Sequence, residues 1–228
     1  MLKKSIYNII YLLASAVMLS SCSENKINEG EIIYEISFPN FSEEDHPITK
    51  MLLPKEQNYK FKSNSFLSTI KKATFKLNIY VQTDEKSFYS DLKFNDQIHC
   101  LLEDNDTNQI INSLPEYEIE FTNEKDTLAG FNIKKAIADI PHVGKVDIWY
   151  TEEIDLDNPN WYNPYNKVPG VLLVYTMYQH GIRMDFKATS YQEIMVPDEV
   201  FNISKKGKSV SFEDFNRELA ALFHNLIN

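Results

Sequence analysis

Cysteine is nearly absent from this chain: 228 residues hold two, Cys22 and Cys100. A disulfide framework of the kind that staples small secreted domains is therefore excluded. Glycine is scarce as well, at six, and there is no Walker sequence, no Rossmann fingerprint and no G-x-S-x-G elbow. Basic residues fall short of acidic ones, 23 against 33, for a formal charge of −10. Nucleic acid demands a basic face that this composition does not supply, and anionic headgroups are disfavoured for the same reason. No apolar run reaches the ~18–20 residues that cross a bilayer core as a mature helix. The five histidines, His46, His99, His142, His180 and His224, are scattered, with no H-E-x-x-H and no pair at zinc spacing. "EDNDTNQ" places Asp104, Asp106 and Asn108 at alternate positions, as a calcium loop does. The required glycine is missing, and Pro115 stands where the closing glutamate belongs, so the stretch reads as a solvated loop entering a helix. The expectation is a protein that is not an enzyme and uses no cofactor or metal.

What is present begins at the N-terminus. Lys3 and Lys4 precede an apolar run from Ile6 to Leu19, which is the charge and apolar order of a secretory signal. Leu19-Ser20-Ser21-Cys22 follows and resembles a bacterial lipobox, in which the cysteine is acylated and the signal is cut before it. Each acyl CH2 in a membrane contributes ~0.8 kcal/mol, so more than one chain on Cys22 makes a stable anchor. Residues 1–21 are then the signal, 22–30 a lipidated tether and 31–228 one β-rich domain. The expected location is the cell envelope, lipid-anchored at the outer membrane and facing the periplasm or the cell surface. Cleavage removes two lysines and no acid, so the charge falls by two to −12. Cys100, in "QIHCLLED", reads as a small buried apolar residue of a strand.

Alternation of period two dominates the rest. "EIIYEISF" groups Ile32, Tyr34, Ile36 and Phe38, and "TFKLNIYVQ" groups Phe75, Leu77, Ile79 and Val81. "YEIEF" and "KVDIWY" repeat the pattern, and weaker strands are expected at 58–63, 66–71, 87–92, 98–102, 131–140 and 193–196. Half-buried antiparallel strands at this density predict one large meandering sheet. "KVPGVLLVYTMYQHGIRMDFKAT" reads as a hairpin turning at His180-Gly181. That turn pairs Met177 with Met184, Tyr175 with Phe186 and Leu173 with Ala188 on one face. So much contiguous apolar surface must be covered or curved around something. "SFEDFNRELAALFHNLI" carries one apolar stripe, Phe212, Phe215, Leu219, Leu222, Phe223 and Leu226, and predicts a C-terminal helix packed on the sheet. A shorter helix fits "DTNQIINSL", and "HPITKMLL" is a weaker candidate.

Several of these stretches carry a family resemblance. "KVPGVLL" (Lys167 to Leu173) resembles the motif that names the GLPGLI family of Bacteroidetes secreted proteins and lipoproteins. "AGFNIKKAIA", "VDIWYTEEI" and "GIRMDFKAT" look like the strands around it in that family. Lys167 and Val168 replace the first Gly-Leu of the motif, and Asn132-Ile133 replaces a position often held by cysteine in relatives. The family is similar in architecture to the lipoprotein-carrier (LolA/LolB-like) group. The resemblance thus implies a mainly β fold, a large curved antiparallel sheet or incomplete barrel with a helix packed on it. That group binds acyl chains in its concavity, which gives a ligand class as an expectation.

On this reading Leu173, Tyr175, Met177, Met184 and Phe186 face the concave side and are the candidate ligand-binding residues. The expected function is a membrane-anchored lipoprotein that holds a lipid or other hydrophobic ligand there. The alternative is an interaction lipoprotein with a filled core and no small-molecule ligand. Cavity volume separates the two: an empty apolar space of several hundred Å3 favours the first. The loop "DLDNPNWYNPYNKVPG" sets Trp161, Tyr162 and Tyr165 among asparagines and prolines. It reads as an aromatic lid or a sugar- or partner-binding loop or, more plainly, as a connection that folds its aromatics over the sheet's open edge.

Overall fold

A computed structural model describes residues 26–42, 44, 46–202 and 205–227. Cys22 and the expected signal and first part of the tether lie outside the described residues. The alternating segments all become strands of a single sheet, apart from the stretch 193–196. In chain order they are β1 (Glu29–Ser37), β2 (Glu56–Lys62), β3 (Ser65–Lys71), β4 (Lys76–Gln82), β5 (Ser87–Lys93) and β6 (Gln97–Leu102). There follow β7 (Glu118–Leu128), β8 (Phe131–Ile140), β9 (Gly144–Thr151), β10 (Val171–Gln179), β11 (Ile182–Gln192) and the two-residue β12 (Lys208–Ser209). Among the described residues three α-helices accompany them: α1 (Pro47–Leu52), α2 (Asn108–Ser113) after a 3-10 turn at Asp104–Thr107, and, after the last strand, α3 (Phe212–Ile227).

The strand order is β12-β6-β5-β4-β3-β2-β1-β11-β10-β9-β8-β7. It is two antiparallel meanders, β1 to β6 and β7 to β11, joined where β1 pairs with β11. Among the described residues the parallel strand pair is β12 with β6, and an isolated parallel bridge joins Ile27 to Ile154. The sheet is open and curved, not closed into a barrel, so the fold is the mainly β incomplete barrel expected. Register irregularities at Ile33/Tyr34, Leu172/Val174 and Phe121/Lys125 add local bends, as bulges do.

The inner face is built as the alternation predicts. Ile32, Tyr34, Ile36 and Phe38 of β1 are all buried, and they pack with Phe61 and Phe66 of the first meander and Leu173, Ile182 and Phe186 of the second. The hairpin turn takes positive φ at both His180 and Gly181, the type I′ geometry that matches strand twist. Its register pairs Gln179 with Ile182, Met177 with Met184 and Tyr175 with Phe186. Along α3, Phe215, Leu219, Leu222 and Leu226 are buried, each worth ~1.5–3 kcal/mol. The Asp214 N–H donates to Ser211 Oγ at 3.1 Å and caps the first turn. The helix packs against β6 on one side, and Phe223 meets the His180 ring at 5.4 Å on the other, so α3 spans the open side of the sheet. A second apolar cluster, including Ala136, Ile148, Tyr150, Tyr165 and Val168, lies over β8 to β10.

Three local readings change. Residues 193–196 are not a strand: β11 ends at Gln192, opposite Glu31, and only two residues of β1 remain beyond that pair. Val196 is held instead by its N–H to the Glu29 carboxylate, 3.1 Å away. Strand β7 runs on to Leu128 through a polar segment, because an edge strand has no need of an apolar pattern there. Pro47 opens a single short helical stretch in "HPITKMLL". Cys100 is buried in β6, and burial pushes its thiol up to about 11, so it is inert at neutral pH.

Candidate functional site

The curved sheet, α3 and the loop between β9 and β10 enclose a cleft of about 530 Å3. Strands β2 to β5 supply one wall, among them Tyr59, Phe66, Ile79 and Phe88. Strands β10 and β11 supply the facing wall with Tyr175, Met177, Met184 and Phe186. Phe212, Phe215, Leu219 and Phe223 of α3 close it from a third side. Lining residues that are also exposed, Ser113, Pro115 and His180, mark its opening between the end of α2 and the β10–β11 turn. Interiors of folded proteins are close-packed, with few voids larger than a water molecule. A space of this size lies within the ~300–1,000 Å3 range of small-molecule pockets.

Four of the five ligand-facing residues read from the sequence therefore line the cleft. Leu173 does not: it is fully buried in the core, and Val171 and Leu172 line the cleft in its place. The irregular β9–β10 register between Leu172 and Val174 breaks the alternation at this point and re-aims the side chains. Tyr175 and Met177 are half-buried although they sit well inside the molecule, because part of their surface faces the empty space.

The aromatic loop is part of the site. Tyr162 reaches across to Phe66 and Phe88, with ring centroids 5.7 and 5.9 Å away. Tyr165 is buried beside it, and its hydroxyl donates to the Thr176 carbonyl of β10. Asn160 holds the loop's shape, donating from Nδ2 to the carbonyls of Val168 at 3.0 Å and Gly170 at 2.8 Å. Gly170 is fixed by space: a Cβ there would come within 2.1 Å of the Thr151 carbonyl oxygen. Both readings of the loop meet here, since its aromatics pack on the fold and also form the wall of a cavity.

An aromatic chain ties the two meanders together along the cleft wall. Tyr175 stacks on Phe186 at 4.6 Å, Tyr34 meets Tyr175 at 6.1 Å and Tyr59 at 6.2 Å, and Tyr59 stacks on Phe66 at 4.7 Å. Hydrogen bonds fix some of these rings. The Tyr34 hydroxyl donates to the Leu172 carbonyl at 2.8 Å, and Tyr175 donates to Gln57 Oε1 at 3.0 Å. Gln57 in turn donates to Ser68 Oγ at 2.6 Å. Burial holds the phenols of Tyr34, Tyr59 and Tyr175 far above their ordinary value, with the neighbouring phenols adding to it, and pushes Tyr162 up to about 12. All four are neutral hydroxyls at any physiological pH.

Sequence reading missed Tyr34, Gln57 and Tyr59 as site residues, and reached Tyr162 only through the unusual composition of its loop. Tyr34 had a signal, its place on the alternating inner face of β1, but its neighbour Tyr175 comes from a strand 141 positions later. Asp104 and Asp106 sit on the 3-10 turn before α2, and among the described residues no three His, Cys, Asp or Glu side chains gather closely enough to hold a metal. No helix of the described residues is long and apolar enough to cross a membrane.

The site thus defines an open, curved antiparallel sheet with an apolar cleft on its inner side. No protein-family model and no curated protein matches the chain. Among solved structures the chain is similar to PNGF-II in the P21 space group, with a TM-score of 0.53 and 16% identity over 84% of this chain and 33% of that one. The same protein in the C2 space group gives a TM-score of 0.53 and 16% identity over 85% of this chain and 33% of that one. The chain spans about a third of the length of these structures, and at this identity the likeness shows the fold alone.

Proposed function

We propose that this protein is a lipoprotein of the cell envelope, anchored through acylated Cys22, that binds a lipid or other hydrophobic ligand in the concave face of its sheet. The observation that carries the reading is the cleft of about 530 Å3 lined by Tyr175, Met177, Met184 and Phe186. A filled-core interaction module would have no reason to keep such a space, because unfilled volume forfeits dispersion contacts. Methionines paired on two neighbouring strands, Met177 and Met184, suit a wall that adapts to apolar shapes. The order of charge, apolar run, small pair and cysteine at residues 3–22 supports the anchor. The motif resemblance around Pro169-Gly170 supports the same placing among GLPGLI-like envelope proteins. An anchored chain needs no basic face to stay at a membrane, which agrees with its negative charge.

Mass spectrometry of the protein extracted from its own membranes tests both halves. The expected chain begins at Cys22 with acyl mass on it, and under native conditions carries an apolar molecule that denaturation releases. A chain that still holds residues 1–21, or an unmodified Cys22, would end the lipoprotein reading. A native mass equal to the acylated chain alone, before and after incubation with lipid extract, would end the binding reading.

A further inference from the structure

The mouth of the cleft and the tether stand at opposite ends of the sheet, and the strand register fixes this. Strand β1 runs from Glu29 to Ser37, and β11 lies antiparallel to it, with Glu31 opposite Gln192 and Ser37 opposite Asp185. The His180-Gly181 turn therefore stands at the Ser37 end. Pro115 leads into β7, whose first residue, Glu118, pairs at that same end. These are the exposed lining residues, so the mouth is there.

The Glu29 end is filled. Strand β9 finishes and β10 starts there, with Thr151 opposite Val171, and the aromatic loop joins the two. Its Tyr162 meets Phe66 and Phe88, which lie toward the Glu29 ends of β3 and β5. Trp161 and Tyr165 are buried beside it.

The chain arriving from Cys22 is pinned at this filled end. The Ile27 N–H donates to the Glu153 carbonyl at 2.7 Å, and the Asp155 N–H donates to the Ile27 carbonyl at 2.9 Å. Lys26 pairs with Asp155 at 3.6 Å. Cys22 and Ile27 are five residues apart in sequence. An extended chain covers at most ~3.3–3.6 Å per residue, so that stretch reaches no farther than about 18 Å. Strand β1, nine residues long, spans roughly 30 Å. An anchor at Cys22 thus keeps the filled end near the bilayer and the mouth on the far side. Turning the mouth into the bilayer would carry Ile27 farther from the surface than the tether reaches.

Resting on the anchor and ligand readings above, we propose that the cleft opens away from the bilayer that holds the protein and is loaded from the aqueous side. Its ligand is an apolar molecule delivered to the mouth, not one drawn directly from the protein's own membrane.

The acylated chain on phosphatidylcholine vesicles tests this in two ways. A fluorescent label on His180→Cys reports the mouth, and one on Glu85→Cys, in the exposed β4–β5 turn, reports the filled end. Cys100 is buried, which leaves the new thiol to react. Energy transfer to a rhodamine-labelled lipid in the same vesicle should be stronger from position 85 than from position 180. Equal transfer, or the reverse order, would overturn the proposal whatever the ligand is. Loading is read with a pyrene-labelled monoacylglycerol by energy transfer from the protein's tryptophans. The probe is uncharged because no Asp, Glu, Lys or Arg lines the cleft. From the protein's own vesicles it should load no faster than from separate vesicles at equal concentration. Inserting about twenty glycine and serine residues after Glu24 supplies the missing reach and should speed own-vesicle loading by about tenfold or more. Faster loading from the own vesicles in the parent chain, or an extension without effect, would overturn the proposal. Uptake from neither source would end the ligand reading, and a chain that does not attach to vesicles would end the anchor reading, each taking this inference with it.

Discussion

Leu173 and Met184 lie on neighbouring strands, both buried, yet they answer to different surroundings. Leu173 has no exposed surface and touches only core, whereas Met184 is 6% exposed and lines the cleft. Removing the Leu173 side chain leaves a hole the fold cannot fill, so Leu173→Ala should cost about 2–5 kcal/mol in urea unfolding. Met184→Asp places a carboxylate against the cleft, where water can reach it. That variant should fold, with unchanged circular dichroism, and lose uptake of a neutral apolar dye. A Met184→Asp chain that is unfolded without denaturant would make Met184 core, not wall. Period two alone could not separate these residues. It set Leu173, Tyr175 and Met177 on one face, and the irregularity between Leu172 and Val174 depends on β9, which the sequence of β10 does not contain. The place of Tyr59 on the cleft wall was hidden for a similar reason. Its surroundings come from β1, β10 and the aromatic loop, which meet only in the folded chain.

At the scale of elements, strands and the last helix were legible because each carries its own period. Helix α3 buries the stripe its spacing draws, and the His180-Gly181 turn has the backbone that its glycine permits. The loop after β9 was legible only as unusual composition. Its shape depends on Asn160, which is 4% exposed and closes the loop on the carbonyls of Val168 and Gly170. Asn160→Ala would orphan two acceptors at about 1–3 kcal/mol each if they stayed dry. The loss should concentrate in the loop, since the sheet keeps its own ladder. Hydrogen exchange should therefore rise across residues 156–168 while β2 to β5 keep their protection. Binding of an apolar dye should weaken too, because Tyr162 would lose its fixed place against Phe66 and Phe88. Unchanged exchange in the loop would mean that Tyr165 and Val168 alone hold it.

The whole molecule is an open sheet, and an open sheet has edges. One end is blunted by β12, a strand of two residues that leads into α3. The other end is β7, eleven residues long and, among the described residues, unpaired on its outer side. A long free edge is a template for pairing with another copy. Charge and irregularity guard it here. Glu118, Glu120, Glu124 and Asp126 are exposed along β7, and the register slips between Phe121 and Lys125. Phe121, 48% exposed, is the one large apolar side chain left on that edge, held against Tyr150 with ring centroids 6.1 Å apart. The net charge of −10 adds a general repulsion between copies, which salt screens over about 8–10 Å. Glu124 pairs with Lys135 and is best left alone, so the test replaces Glu118, Glu120 and Asp126 with threonine. Threonine raises strand propensity and removes three like charges, leaving the bulge in place. The triple variant should sediment as larger species than its parent at equal concentration, and more so in high salt. If the two sediment alike at every concentration and salt, the guard is the bulge and not the acids.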